Sequence, residues 1–142
     1  MSERKADPTA WRNFTAPSLA DFETLAREEF ARLPAEFRAM CGHLVIQVTD
    51  FATEEVLREM KADDPFDLMG LFQGVGLPFQ PAGAITGQMP NMVWLYRRPI
   101  LDYWAEHDDT LGAVITHVLI HEIGHHFGLS DEDMEAIEAS AA

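Results

Sequence analysis

The chain has 142 residues, 47% of them hydrophobic, enough for one core and one domain. Its formal net charge of −14 repels phosphate backbones, and its 10 Lys and Arg residues form no basic stripe beyond Arg97 and Arg98, which argues against nucleic acid as a partner. A single cysteine, Cys41, excludes an internal disulfide and reads as a buried thiol in a reducing compartment.

Residues 1–17 are polar and interrupted by Pro8 and Pro17, which predicts a flexible leader ahead of a single domain over residues 18–142. They hold no apolar signal-peptide core, and no run in the chain approaches the roughly 18 apolar residues of a membrane span, so a cytoplasmic protein with no membrane partner is expected. Ser18 with Asp21 three positions later opens a first helix through about residue 33, its inward face carrying Leu19, Phe22, Leu25, Ala26 and Phe30. Residues 43–49 alternate as a strand with Leu44, Ile46 and Val48 on one side, and residues 53–60 follow as a short helix.

Between residues 62 and 90 the breakers gather: Pro65, Pro78, Pro81, Pro90, Gly70, Gly74, Gly76, Gly83 and Gly87. No long regular element survives that density. Residues 85–89 read either as a rim over a cleft or as a plain connection. Residues 92–97 form the next strand, with Met92, Trp94 and Tyr96 facing one way and Val93 and Leu95 the other. Glu106, Asp108 and Asp109 then stand where N-capping and dipole stabilisation favour acids.

The helix over residues 111–127 has almost no polar face and should be buried. It ends in His121-Glu122-Ile123-Gly124-His125-His126-Phe127-Gly128-Leu129-Ser130-Asp131. Two histidines four apart lie on one helix face and can share one ion, with Glu122 about 100° further round. An ionised Glu122 in apolar surroundings needs compensation, which a bound cation supplies. Gly128 can take the left-handed conformation that turns the chain back, bringing Asp131 near the two histidines. Two nitrogens and one carboxylate with a position left for water is the composition of a catalytic zinc site, although iron, nickel or manganese would also suit. Asp131 also has a purely structural reading, since Ser130 with Asp133 looks like a capping box for a last helix through residue 137; Glu135 is the competing carboxylate.

Other histidines carry less. Three stacked turns would span about 12 Å, too far for one ion, so His117 reads as a residue supporting the ligands or packed in the core. His126 points about 100° away from His125 and reads as a surface residue or one supporting the ligands rather than a ligand, and His43 and His107 have no informative spacing.

These residues resemble the small bacterial zincin-like metallopeptidases, whose signature is HExxHxxGxxD. The resemblance runs over about residues 43–135, taking in Asp67-Leu68-Met69-Gly70-Leu71-Phe72-Gln73-Gly74-Val75, Val93-Trp94-Leu95-Tyr96-Arg97-Arg98-Pro99 and the motif itself. It implies an α+β fold, a small mixed sheet packed against a buried HExxH helix with N-terminal and C-terminal helices. It further implies His121, His125 and Asp131 as ligands of one Zn2+, Glu122 as the catalytic residue, and a peptide or protein substrate. In such folds the strand beside the metal helix is a sheet edge, so strand 92–97 is expected to accept an extended peptide there. Tyr96, Tyr103 or Arg97 could add a donor, though core packing suits both tyrosines better. The larger metzincins are similar through Gly128 but have histidine where Asp131 stands.

Two other readings compete. A bacterial ribosomal-RNA-maturation ribonuclease family spaces histidines as HxxxHxxxxxH, yet it lacks a counterpart of Glu122 and has histidine at the position of Asp131. A non-catalytic metal-binding or protein-interaction module would keep the ligands, but metal binding alone does not require Glu122.

Overall fold

A computed structural model describes residues 7–74 and 90–141. The expectations for residues 1–6 and for a rim at residues 85–89 lie outside the described residues. In chain order come α1 (Leu19–Ala31), α2 (Ala35–Cys41), β1 (Leu44–Thr49), α3 (Glu54–Glu59), β2 (Gly70–Gln73), β3 (Asn91–Tyr96), α4 (Arg97–Glu106), α5 (Leu111–His126) and α6 (Asp131–Ala141). Single 3-10 helices lie at Pro8–Asn13 and Pro65–Asp67. The architecture is α+β, a small mixed sheet with helices packed around α5.

α1 opens at its capping box: the Asp21 amide donates to Ser18 Oγ at 3.1 Å, and the Ser18 amide to Asp21 Oδ2 at 2.9 Å. Phe22 and Ala26 are buried and Leu25 and Phe30 pack against them, whereas Leu19, in the first turn, stays 40% exposed. Past Pro34 the chain re-enters a helix, α2, which the sequence reading did not foresee. It is 7 residues long and its N-cap is proline, with no side chain to mark the start. α2 buries Phe37 and Cys41, and burial pushes the Cys41 thiol up to about 11, so it stays protonated.

The strand order is β1-β3-β2. β1 runs parallel to β3, Leu44 opposite Asn91 through Thr49 opposite Tyr96; β2 runs antiparallel to it, Gly70 opposite Leu95 through Gln73 opposite Met92. β3 is therefore central and paired on both sides, which corrects the expectation of an edge at residues 92–97. The reason lies in burial: Val93, Leu95 and Tyr96 are all buried, and the most apolar strand takes the middle of the sheet. Among the described residues the edge strand beside α5 is β2, pinned by a hydrogen bond from Trp94 Nε1 to Gln73 Oε1 at 2.9 Å.

β3 passes directly into α4, a second unforeseen helix. Its N-cap, Tyr96, makes no side-chain cap, and Pro99 falls in the first turn, where its missing N–H costs nothing. Arg97 donates through Nε to the Pro17 carbonyl at 2.7 Å and through Nη1 to Asp50 Oδ1 at 2.8 Å. This side chain ties the segment before α1 to the loop after β1, so its donors are committed to structure.

α5 starts on Thr110, whose Oγ1 accepts from the Ala113 amide at 3.1 Å; the cap is this threonine rather than the acidic run before it. Leu111, Val114, Ile115, Val118 and Leu119 pack against α1 and the sheet. Ile120 and Ile123 face a second cluster with Leu33, Phe37, Cys41 and Met134. Each such side chain contributes about 1.5–3 kcal/mol of burial, so α5 is the element on which both halves of the core depend. None of the helices among the described residues is long and apolar enough to cross a membrane.

Candidate metal centre

α5 ends as the glycine predicts. Gly128 has φ +77, the Gly128 amide donates to the His125 carbonyl at 3.2 Å, and the Leu129 amide donates to the Gly124 carbonyl at 2.9 Å. This Schellman closure reverses the chain and launches α6 alongside α5. The capping box that starts α6 is present, the Asp133 amide donating to Ser130 Oγ at 3.0 Å and the Ser130 amide to Asp133 Oδ2 at 3.2 Å. The helix runs on to Ala141, beyond the expected residue 137.

Two residues set how closely the helices approach. A Cβ on Gly124 would lie 2.5 Å from Met134 Sδ and 2.9 Å from Met134 Cγ, and Met134 is itself fully buried. The glycine inside the HExxH motif thus leaves a notch that receives Met134. On the other side of α5, a Cβ on Gly70 of β2 would lie 2.8 Å from Val118 Cγ1, 3.0 Å from the Trp94 carbonyl and 3.3 Å from Glu122 Cγ. Only glycine lets β2 come this near to Glu122.

Glu122 is half-buried against that sheet face, and no ion pair among the described residues engages it. Burial pushes its carboxyl up to about 7, so it can both hold and release a proton near neutrality. Burial, together with the nearby charge of Glu122, raises the Tyr96 hydroxyl to about 12, which keeps it a neutral donor.

The histidines line the other side. The rings of His117 and His121 lie 4.0 Å apart between centroids, and those of His121 and His125 lie 5.6 Å apart at 78°. Glu138 of α6 reaches across to the first pair: His117 Nδ1 is 2.9 Å from its Oε2, and His121 Nε2 is 3.5 Å from its Oε1. Burial lowers the pKa of His121, and neighbouring His117 and, less strongly, His125 lower it further; together they outweigh the attraction of Glu138, so this contact joins a neutral imidazole to a carboxylate. A neutral ring keeps the lone pair that a metal needs.

The structure thus brings His117, His121 and Glu138 together, with one donor atom from each within 4.8 Å of the others. His121, His125 and Asp131 are not gathered in this way. His125 is exposed, and Asp131 is exposed at the first position of α6, its carboxylate engaged by no hydrogen bond among the described residues. Glu135 is also exposed. His126 is exposed and its ring lies 4.3 Å from that of Phe72. His117, expected to support the ligands or pack in the core, lies partly exposed against His121; Glu138 was not foreseen at all. Two imidazoles and a carboxylate, borderline nitrogen donors with one hard oxygen, fit a divalent transition ion of the zinc class.

A comparison with curated proteins returns no match. A family model described as zincin-like metallopeptidase matches residues 41–141, which takes in every strand and α3 to α6. That span, a buried HExxH helix and a small mixed sheet lying against its glutamate leave one assignment: the chain belongs to the zincin-like metallopeptidases.

Proposed function

We propose that this protein is a zinc-dependent peptidase that hydrolyses peptide bonds, with Glu122 as general base and His121, His125 and Asp131 as the ligands of its catalytic ion. The observation that carries the reading is the position of Glu122, a half-buried carboxyl next in sequence to a histidine, held against Gly70 with its pKa raised to about 7. A structural carboxylate in that place would need a cationic partner; a proton acceptor needs the opposite.

When bound, the ion supplies Lewis-acid polarisation of the scissile carbonyl and acidifies water. Glu122 takes a proton from the attacking water on a carboxylate oxygen and returns it to the departing amine nitrogen, so its charge is restored at the end of the cycle. His121, neutral by burial, offers its nitrogen without first losing a proton. His125 and Asp131 are exposed on either side of the Gly128 bend, and in this reading their side chains rotate toward His121 when the ion binds. Gly70 of β2 lies against Glu122, so a substrate segment lying extended along that edge strand would carry its carbonyl past the carboxyl.

The test uses the full chain loaded with zinc and incubated with unfolded casein, with and without a chelator. Cleavage by the wild type, its loss on chelation, and a fall of about 10²–10⁴-fold in Glu122→Gln with metal retained are the expected results. A folded Glu122→Gln protein that cleaves as fast as the wild type would defeat the mechanism, and hydrolysis of RNA in place of casein would move the protein to another class of enzyme.

A further inference from the structure

Beyond the donors of a single catalytic ion, α5 and α6 bring together one more pair, His117 and Glu138. We propose that His117, His121 and Glu138 form a second position for a divalent transition-metal ion, one helical turn before the catalytic set and sharing His121 with it. The inference rests on the catalytic reading only in that shared residue.

Its geometry is that of a ligand set. In a tetrahedral site with bonds of about 2.0–2.1 Å, neighbouring donor atoms stand about 3.3–3.4 Å apart. The separations here are 2.9 Å from His117 Nδ1 to Glu138 Oε2 and 3.5 Å from His121 Nε2 to Glu138 Oε1, and one donor atom from each of the three residues lies within 4.8 Å of the others, so an ion would draw the set together. The spacing is held by two helices rather than by one flexible loop. His117 and His121 are successive turns of α5, and Glu138 comes from α6, locked beside it by Met134 in the Gly124 notch.

The side chains are 43%, 24% and 32% exposed in the order His117, His121, Glu138, open enough for an ion to enter and for water to complete its shell. Glu138 also lines a groove of about 640 Å³ between the ends of α1, α5 and α6, together with Glu29, Thr110 and Thr116. This groove offers an approach to the cluster; Glu29 in it is paired with Arg32 at 3.5 Å, while Glu138 faces the histidines. Two nitrogens and one oxygen select Zn2+, Co2+ or Ni2+ over Mg2+ or Ca2+.

One imidazole nitrogen binds one ion, so occupation of this position withdraws His121 Nε2 from the catalytic set. The two positions therefore compete, and an ion held here turns the catalytic one off.

The decisive experiment titrates metal-free protein with Co2+ alone and reads the visible d–d absorption, with no peptide substrate present. A His125→Ala/Asp131→Asn double variant removes the catalytic ligands and isolates the cluster. One equivalent of Co2+ should still bind, and adding Glu138→Gln or His117→Gln should weaken binding more than about 100-fold. Crystals of the Co2+-loaded double variant should show the anomalous peak between α5 and α6. Loss of all binding in the double variant, a peak elsewhere, or equal affinity with and without Glu138→Gln would each overturn the proposal. Failure of casein hydrolysis would overturn the catalytic reading and leave this one standing.

Discussion

On its sheet side, the second half of α5 meets Gly70 and offers a carboxyl, Glu122; toward α6 it offers two neighbouring imidazoles and meets a carboxylate, Glu138. On the first face burial keeps the proton on Glu122 to higher pH, and no ion pair among the described residues engages it. The second face supplies donors and a counter-charge together. Consecutive residues on a helix differ by about 100°, and that rotation alone separates a place for a proton from a place for a cation.

The contrast can be broken from either side. The largest effect expected is from Met134→Ala, which empties a fully buried site between α6 and Gly124 and should cost about 2–5 kcal/mol in urea denaturation. If the α6 face depends on that contact, Co2+ affinity falls along with stability; unchanged stability would show that α6 is held by other contacts.

Next is the pH dependence of Glu122→Gln in metal-free protein. Glu122 has a folded pKa raised from 4.5 to about 7, so its contribution to stability is fully present below about 4.5 and is lost as pH rises through about 7. Glutamine does not titrate, so the variant should gain on the wild type across that window and lead it by about 1–3 kcal/mol at pH 8, allowing for the group's partial exposure. Thermal melts at pH 4, 6 and 8 measure it, and parallel curves for the two proteins would mean that the carboxyl is solvated. Saturating zinc should shrink the gap, because a nearby cation favours the carboxylate.

The smallest expected effect is from Ser130→Ala, which removes the side-chain half of the α6 capping box and should cost about 1 kcal/mol without touching Glu122 or the histidines. It calibrates the other two: a variant that only loosens the start of α6 should leave the Glu122 titration where it was.

What could be read from the sequence was local. The capping boxes at Ser18 and Ser130, the left-handed Gly128 and the buried 111–127 helix each follow from residues within a few positions of one another, where helix geometry fixes the outcome. Glu138 was hidden because nothing between it and His121 repeats; it is the packing of α6 on α5 that brings it there. The central place of β3 was hidden for the same reason, since an alternating pattern says which residues face inward and not which strands lie on either side. α2 and α4 were missed because Pro34 and Tyr96 make no side-chain cap, the one local mark by which a short helix announces itself.

In the notation HExxH the second x is Gly124, a position written as if any residue would serve. Here it is a docking point for a thioether from the following helix, and a methyl group added to it would have to displace that sulfur or lift the helix away. The blank in the formula is therefore a spacer of defined thickness, and the distance from the imidazoles to Glu138 is set by an atom that is not there.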